Sequence, residues 1–477
     1  MRRDHVALSR ATGFGGSVLI AAGGLGAGAL PVGIPFFAGG TNAQIGLVAV
    51  YSGLLLLVLG WWWYGKTGHF NSAAGRDEGG GGAADGWRTL ALWSAPLLFT
   101  PPLFSRDVYS YLAQGQMVDA GLDVYHVGPS ALGGAIADQI PAIWLDTPSP
   151  YGPVLLIVAR LIAPPLTEHL LLGVIAMRLI AVGGLALLAV ATRTLARSAG
   201  VRPASAAWLI VLNPLTLIHF VGGAHNDALM VGLLAAGLAA AVRRRPVVAV
   251  VLVVAAALVK APAVLGLAAV AAIWAHQING RFPRVRATAA VAGTAGVATA
   301  LITAAAGTGY GWILALQTPM SPHNWSLTSG LGRVTASLLD GGISATLARD
   351  VWRWAGLLAM LIVAGLVWTY RAKLGPVYGL GLVLSAVVVF GPALRPWYLL
   401  WGLAPLAAAA VDQRVRQIFA GVCVVLAVAV LPDGFAPDAN RVLLATIGGL
   451  IGIAAFITVR ISSVLLTRAG ALAQEAR

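Results

Sequence analysis

Apolar residues in this chain come in long unbroken runs, not in the one-sided stripes of a surface helix or the alternation of a half-buried strand. A helix needs about 20 apolar residues to cross a bilayer. Fourteen stretches approach that length: 16–38, 45–65, 89–104, 170–192, 204–220, 228–242, 246–259, 261–276, 287–306, 352–370, 376–392, 398–411, 417–431 and 442–459. An even number puts both termini on one side. The pattern predicts an all-α polytopic membrane protein, a single integral membrane domain over residues 1–477 with 13–14 transmembrane helices. Polar residues gather in two long connections, 105–169 and 307–351, and in the segment 66–88, whose GRDEGGGGAADG run predicts a flexible linker. Long connections in a compact protein are functional or disordered. The first is rich in Tyr, Trp, Pro and Asp and is not low-complexity.

Composition narrows the class. Of 477 residues, 58% are hydrophobic and 10% charged, at a mean hydropathy of +0.84. A soluble domain carries about 25% charged residues. The single cysteine, Cys423, excludes a disulfide scaffold and reads as an inert core residue in an apolar run. The excess charge of +14 would in a soluble protein suggest nucleic acid. With the N-terminus inside, however, the inner segments hold 22 bases and 6 acids, the outer ones with their span margins 8 bases and 11 acids, and Arg178 alone lies deep within a span. The positive-inside rule absorbs the whole excess. The expectation is therefore a plasma-membrane protein with cytoplasmic termini, lipid for its surroundings and no nucleic-acid partner. Arg2 and Arg3 followed by an apolar run suggest a signal peptide, but the run reaches Phe37, beyond the usual length of about 7–15 residues, and is read as an uncleaved first span.

Four polar groupings fall on the outer side. The first begins Ser105-Arg106-Asp107-Val108-Tyr109. Val108, Leu112 and Gly115 recur at helical spacing, while Asp107, Tyr111, Gln114 and Val118 make a second, mostly polar face. This predicts a short interfacial helix with a carboxylate in its first turn. The bland reading of Asp107 is an acid complementing the helix dipole, paired with Arg106. The second grouping is Gly222-Gly223-Ala224-His225-Asn226-Asp227. Asp227 fits the N-cap of the next span. Capping leaves His225 and Asn226 unexplained, and both can donate to sugar hydroxyls or to a phosphate.

The third is Val259-Lys260-Ala261-Pro262, at the turn of an apolar hairpin. Lysine near mid-bilayer costs about 2.5–3.5 kcal/mol on insertion scales, so it snorkels or has a function. An anion is its natural partner. The fourth is Gly391 to Tyr398, where Arg395 lies beside Trp397 and Tyr398. Arginine grips phosphate at two points, and the two rings would stack on a sugar or simply join an aromatic belt. In the second long connection, Met320 to Ser326 includes Trp325, a further candidate for acceptor contact.

One exposed carboxylate, two cations and sugar-compatible aromatics on one surface suit a particular reaction. Outside the cytoplasm a glycosyl donor must be carried by a lipid such as a polyprenyl phosphate. Its phosphate leaves readily without an acid, while the acceptor hydroxyl needs one base. A glycosidase would need two opposed carboxylates. Single displacement inverts the anomeric centre. No acid falls inside a span, as a proton-coupled transporter would need. Walker, HExxH and CxxC spacings are absent, and no outer Asp-x-Asp pair offers a divalent-cation site. The expectation is a metal-independent enzyme without a cofactor. The rival classes are a lipid-linked-sugar flippase or transporter, which would show two similar halves and mid-membrane charge, and a non-catalytic scaffold.

The motifs FSRDVYSYLAQGQ, GLDVYHVGP, TPSPYGP, NPLTLIHFVGGAHNDALM, LVKAP and RPWYLLW, in order over about 95–410, together resemble the actinobacterial polyprenol-phosphate-mannose-dependent α-1,6-mannopyranosyltransferases, more closely the B-type than the A-type. The resemblance implies the GT-C glycosyltransferase fold and a long first outer loop carrying interfacial helices. It implies mannosyl transfer from polyprenyl-phosphate-mannose to the 6-hydroxyl of an α-1,6-mannan on a phosphatidylinositol-mannoside acceptor, a step in lipomannan and lipoarabinomannan synthesis. The catalytic acid of that superfamily lies early in the first outer loop, which matches Asp107. Lys260, Arg395, His225 and Asn226 become candidates for the donor phosphate. Arg106, Tyr111, Gln114, Asp123, Tyr125, Tyr151, Asp227, Trp325, Trp397 and Tyr398 become candidates for the sugar or acceptor. Val124 departs from an Asp-Pro-Tyr pattern but leaves Asp123 and Tyr125 in place.

Overall fold

A computed structural model describes the chain apart from residues 1, 33–39, 68–80, 167–168, 318–325, 340–341, 411, 435–436 and 476–477. Among the described residues there is no β-strand, only an isolated bridge between Leu431 and Gly434. The helices of eight residues or more are α1 (Arg2–Ala27), α2 (Gly40–Thr67), α3 (Gly81–Ser94), α4 (Asp107–Asp119), α5 (Pro153–Ile162), α6 (Leu170–Ser198), α7 (Pro203–Ile210), α8 (Asp227–Val242) and α9 (Pro246–Ala257), followed by α10 (Gly266–Ala275), α11 (Pro283–Ala306), α12 (Leu327–Ser337), α13 (Gly342–Thr369), α14 (Arg371–Phe390), α15 (Leu399–Ala409), α16 (Gln413–Val428) and α17 (Ala439–Glu475). They form two compact units. The first takes Met1–Val108, Ala207–Ala224 and Ala420–Arg477, the second Tyr109–Ala206 and His225–Phe419.

The chain is a polytopic helical membrane protein, and among the described residues fewer than fourteen helices are long enough to be full-length spans. Seven described helices, α1, α2, α6, α11, α13, α14 and α17, are long and apolar enough to cross a bilayer. An eighth would be a bent pair, Pro203–Ile210 with Pro214–Gly222, angled at 51°. Proline explains the shortfall. Pro96, Pro101 and Pro102 cannot donate backbone hydrogen bonds, so the run 89–104 holds only the end of α3 and a short 3₁₀ turn. Pro214 bends the fifth run, where Asn213 caps the new turn by accepting from the Leu215 N–H at 2.9 Å. Around Lys260 the helices α9 and α10 have 12 and 10 residues, short of a bilayer's thickness at about 1.5 Å per residue. The first span also shifts, because α1 carries Arg10 within the helix and ends at Ala27, ahead of Pro31.

In the first unit α1 crosses α2 through glycine pairs. A Cβ on Gly16 would lie 2.5 Å from the Gly53 carbonyl oxygen, and one on Gly23 would lie 2.5 Å from that of Gly46. Small residues let backbones touch where lipid supplies no hydrophobic drive. Gly452 of α17 repeats the device against the Ser52 carbonyl of α2. The expected linker 66–88 falls partly outside the described residues, and from Gly81 it is the helix α3. Local contacts explain that order: Asp85 pairs with Arg10 at 3.3 Å, and the Trp93 indole N–H donates to the Arg10 carbonyl at 2.9 Å.

In the second unit α6 and α8 cross on Gly184 and Gly232, so closely that neither has room for a Cβ. The helix α4 corrects the amphipathic expectation. From Val108 through Gly115 every residue is buried, including Ser110 and Gln114. Over those eight residues the helix has no solvated face, and Gln114 finds its partner within the protein, accepting from Ser149 Oγ.

Candidate active site

Phe104 and Ala224, each non-glycine, have left-handed backbones (φ 63° and 53°). Such residues are uncommon and cluster where surrounding structure dictates the backbone. Phe104 stands three residues ahead of Asp107 and Ala224 three ahead of Asp227. Both corners belong to the first unit, and a backbone bond from the Leu103 N–H to the Gly222 carbonyl (3.2 Å) ties their approaches together. The Phe104 N–H donates to the Pro432 carbonyl at 2.7 Å. Asp107 then opens α4, its own N–H bound to Ser105 Oγ at 3.0 Å, with its side chain half-buried.

Arg106 turns elsewhere. Its guanidinium donates to the Leu30 carbonyl at 3.1 Å and lines a cavity of about 570 Å³ within the first unit. Apolar residues such as Leu30, Val32 and Leu47 share that cavity with Asn440 and with Asp433 and Arg441, which form an ion pair.

The second unit assembles most of the remaining candidates around Lys260. That residue is extended (φ −153°, ψ 125°) and precedes a 3₁₀ turn led by Ala261-Pro262. Arg395 follows the same grammar, extended (φ −119°, ψ 145°) before Pro396-Trp397-Tyr398. A proline in a first turn loses no bond that the helix would have made. The anion Lys260 needs is within the chain: Nζ lies 3.0 Å from both Oδ1 and Oδ2 of Asp227. Asp227 is 0% exposed, and the Lys260 side chain is 13% exposed. The Trp401 indole N–H also donates to Asp227 Oδ1, at 2.6 Å. Asp227 is therefore the first residue of α8 but not its N-cap; Asn226 holds that position without a side-chain cap. The carboxylate is already engaged sideways.

Three rings surround the ammonium, with Tyr398 at 4.4 Å, Trp401 at 5.2 Å and Tyr151 at 5.9 Å from Nζ to the ring centres. Desolvated cation–π contacts of this kind are worth about 2 kcal/mol or more. Tyr398 and Trp401 stack at 4.1 Å, His225 and Trp397 at 3.9 Å. Tyr111 joins through its hydroxyl, 3.5 Å from His225 Nδ1, and through an edge contact with Tyr151. Asn226 is 4% exposed, and neither of its side-chain polar atoms has a hydrogen-bond partner among the described residues.

The other candidates bond within the chain. Gln114 accepts from Ser149 Oγ at 2.9 Å, and that hydroxyl accepts from the Tyr151 N–H at 3.2 Å. The Val154 N–H donates to the Leu258 carbonyl at 3.0 Å, and Gly152 presses so near that carbonyl that no Cβ would fit. Together these hold Tyr151 beside Lys260. Tyr125 supports the same loop by donating to the Tyr151 carbonyl at 3.1 Å. Burial pushes its phenol up to about 12. Asp123 accepts from the Tyr125 N–H at 3.0 Å and pairs with the exposed His126 at 2.8 Å, a loop-forming role away from the Lys260 cluster. Trp325 lies outside the described residues.

Sequence reasoning missed Trp401, although it stands four residues from Trp397 and three from Tyr398, on the same helical face. No group of three or more His, Cys, Asp or Glu able to hold a metal occurs among the described residues.

Residues 10–276 match the family model for the α-(1→6)-mannopyranosyltransferase N-terminal domain, and residues 327–460 that for the MptB C-terminal domain. The chain is 35% identical to α-(1→6)-mannopyranosyltransferase A of Mycobacterium tuberculosis, over 88% of this chain and 84% of the relative. It is 32% identical to α-(1→6)-mannopyranosyltransferase B of Corynebacterium glutamicum, over 94% and 81%. No solved structure matches.

Proposed function

We propose, because this chain belongs to the α-(1→6)-mannopyranosyltransferase family, that it transfers mannose from polyprenyl-phosphate-mannose to the 6-hydroxyl of an α-1,6-mannan acceptor. The acceptor oxygen attacks the anomeric carbon from the face opposite the phosphate. The bond from that carbon to the phosphate oxygen breaks with its electron pair leaving on polyprenyl phosphate. The hydroxyl proton passes to the Asp107 carboxylate. A β-linked donor gives an α-glycoside. The site faces the outside of the plasma membrane, the acceptor is a phosphatidylinositol-mannoside-anchored mannan of the lipomannan pathway, and the fold is GT-C. Lys260 and Arg395 offset the phosphate's charge, so no metal is needed.

The observation that carries this reading is the position of Asp107, a half-buried carboxylate at the N-terminus of α4, fixed by a backbone corner. The Lys260 cluster adds support: a cation paired with Asp227 and ringed by aromatic faces of the kind that stack on sugars. Purified protein supplied with labelled polyprenyl-phosphate-mannose and short α-1,6-mannosides should extend them by an α-1,6 linkage, unaffected by a chelator. Asp107→Asn should lower turnover by about 10²–10⁴-fold, the usual worth of a general base, with its unfolding temperature unchanged. Near-normal turnover would refute the base; loss of activity on chelation would refute the metal-free chemistry.

A further inference from the structure

The Lys260 ammonium has an unusual supporting arrangement. Its carboxylate partner is bound evenly through both oxygens and is fully buried, yet one of those oxygens also receives the Trp401 N–H at 2.6 Å. A carboxylate this deep would by itself bind the lysine as a tight pair and leave it little attraction for another anion. A second donor on Oδ1 draws carboxylate charge away from Nζ and fixes the plane of the carboxyl group. The Trp401 ring also lies 5.2 Å from Nζ and stacks on Tyr398, the nearest ring to the ammonium, at 4.1 Å. One side chain thus sets both the anion and the aromatic wall that define where the charge of Lys260 can point. What remains of that side chain, 13%, is exposed.

We infer that Trp401 is a positioning residue that, through Asp227, aims and partly frees the charge of Lys260 for the phosphate of the lipid-linked sugar donor. This rests on the reading of Lys260 as a donor-phosphate ligand. Trp401 touches no reacting atom; its effect is transmitted by one hydrogen bond and one ring stack. With the indole N–H gone, Asp227 binds Lys260 alone and the donor phosphate competes for a better-neutralised cation.

Trp401→Phe keeps a ring against Tyr398 and deletes the donor. The full-length protein in detergent should then show a donor KM raised about tenfold, the scale of one hydrogen bond to a charged group. Its kcat and acceptor KM should stay within about twofold, which general loosening of the fold would not achieve. Lys260→Gln tests the underlying reading separately, since an unchanged donor KM there removes Lys260 from the phosphate whatever Trp401 does. If Lys260→Gln raises donor KM while Trp401→Phe leaves it alone, the positioning role falls and the phosphate role stands. The double variant should match Lys260→Gln alone; simple multiplication of the two effects would mark Trp401 as merely structural. Should Trp401→Phe fail to fold, 3-benzothienylalanine at position 401, which keeps the shape and lacks the N–H, gives the same reading.

Discussion

The two compact units differ in how their most deeply buried polar side chains are partnered. In the first, backbones meet at glycines, and buried hydroxyls such as those of Thr12 and Ser52 bond to helix carbonyls. Thr12 donates to the Leu8 carbonyl, and Ser52 to the carbonyls of Val48 and Gly448. In the second, buried polar side chains bond to one another: Lys260 to Asp227, Trp401 to Asp227, Ser149 to Gln114. Hydroxyls satisfied by helix carbonyls cost little in lipid and direct nothing. A carboxylate and an ammonium brought together in an apolar interior need mutual geometry, and that geometry becomes a chemical site.

The contrast is open to attack at each end. Asp227→Ala should cost about 3–5 kcal/mol, because it leaves a mostly buried ammonium without its anion. The measurement is the yield and unfolding temperature of the protein in detergent, and pairing it with Lys260→Met should restore folding without restoring transfer. Gly16→Leu should cost about 1–3 kcal/mol by overpacking the α1–α2 crossing, with the specific activity of the folded fraction unchanged. A specific activity that fell with Gly16→Leu would erase the distinction between scaffold and site. The smallest effect concerns Tyr125. Its phenol is raised from 10.0 to about 12 by burial, so the folded protein keeps a proton that the unfolded chain sheds. The stability it contributes is complete below pH 10 and is lost as the pH climbs through about 12. Tyr125→Phe should flatten the fall of unfolding temperature over that interval.

Much of this was legible in the residues. Long apolar runs announce helices, and the polar motifs identify the groups that converge on Lys260, because a charge such as Lys260 or Asp227 is costly in an apolar interior without a partner. Helix lengths were less legible. Pro96, Pro214 and Pro262 interrupt runs that hydropathy reads as continuous, since proline is apolar enough to pass while removing a donor. The enclosure of α4 was hidden because Tyr111 and Gln114 read as a polar face until Ser149 is seen to reach Gln114. Trp401 was hidden for the converse reason: a tryptophan in an apolar helix resembles belt or core, and nothing local reveals that its N–H meets a carboxylate 174 residues earlier.

The bond between Leu103 and Gly222 has a practical consequence for anyone building hybrids of this enzyme with its relatives. Splicing in a foreign first loop brings a new Phe104 corner but leaves behind the stretch that its neighbour leans on. Swaps that carry 100–108 and 217–224 together should assemble, and swaps that carry only one should leave the transplanted aspartate misdirected.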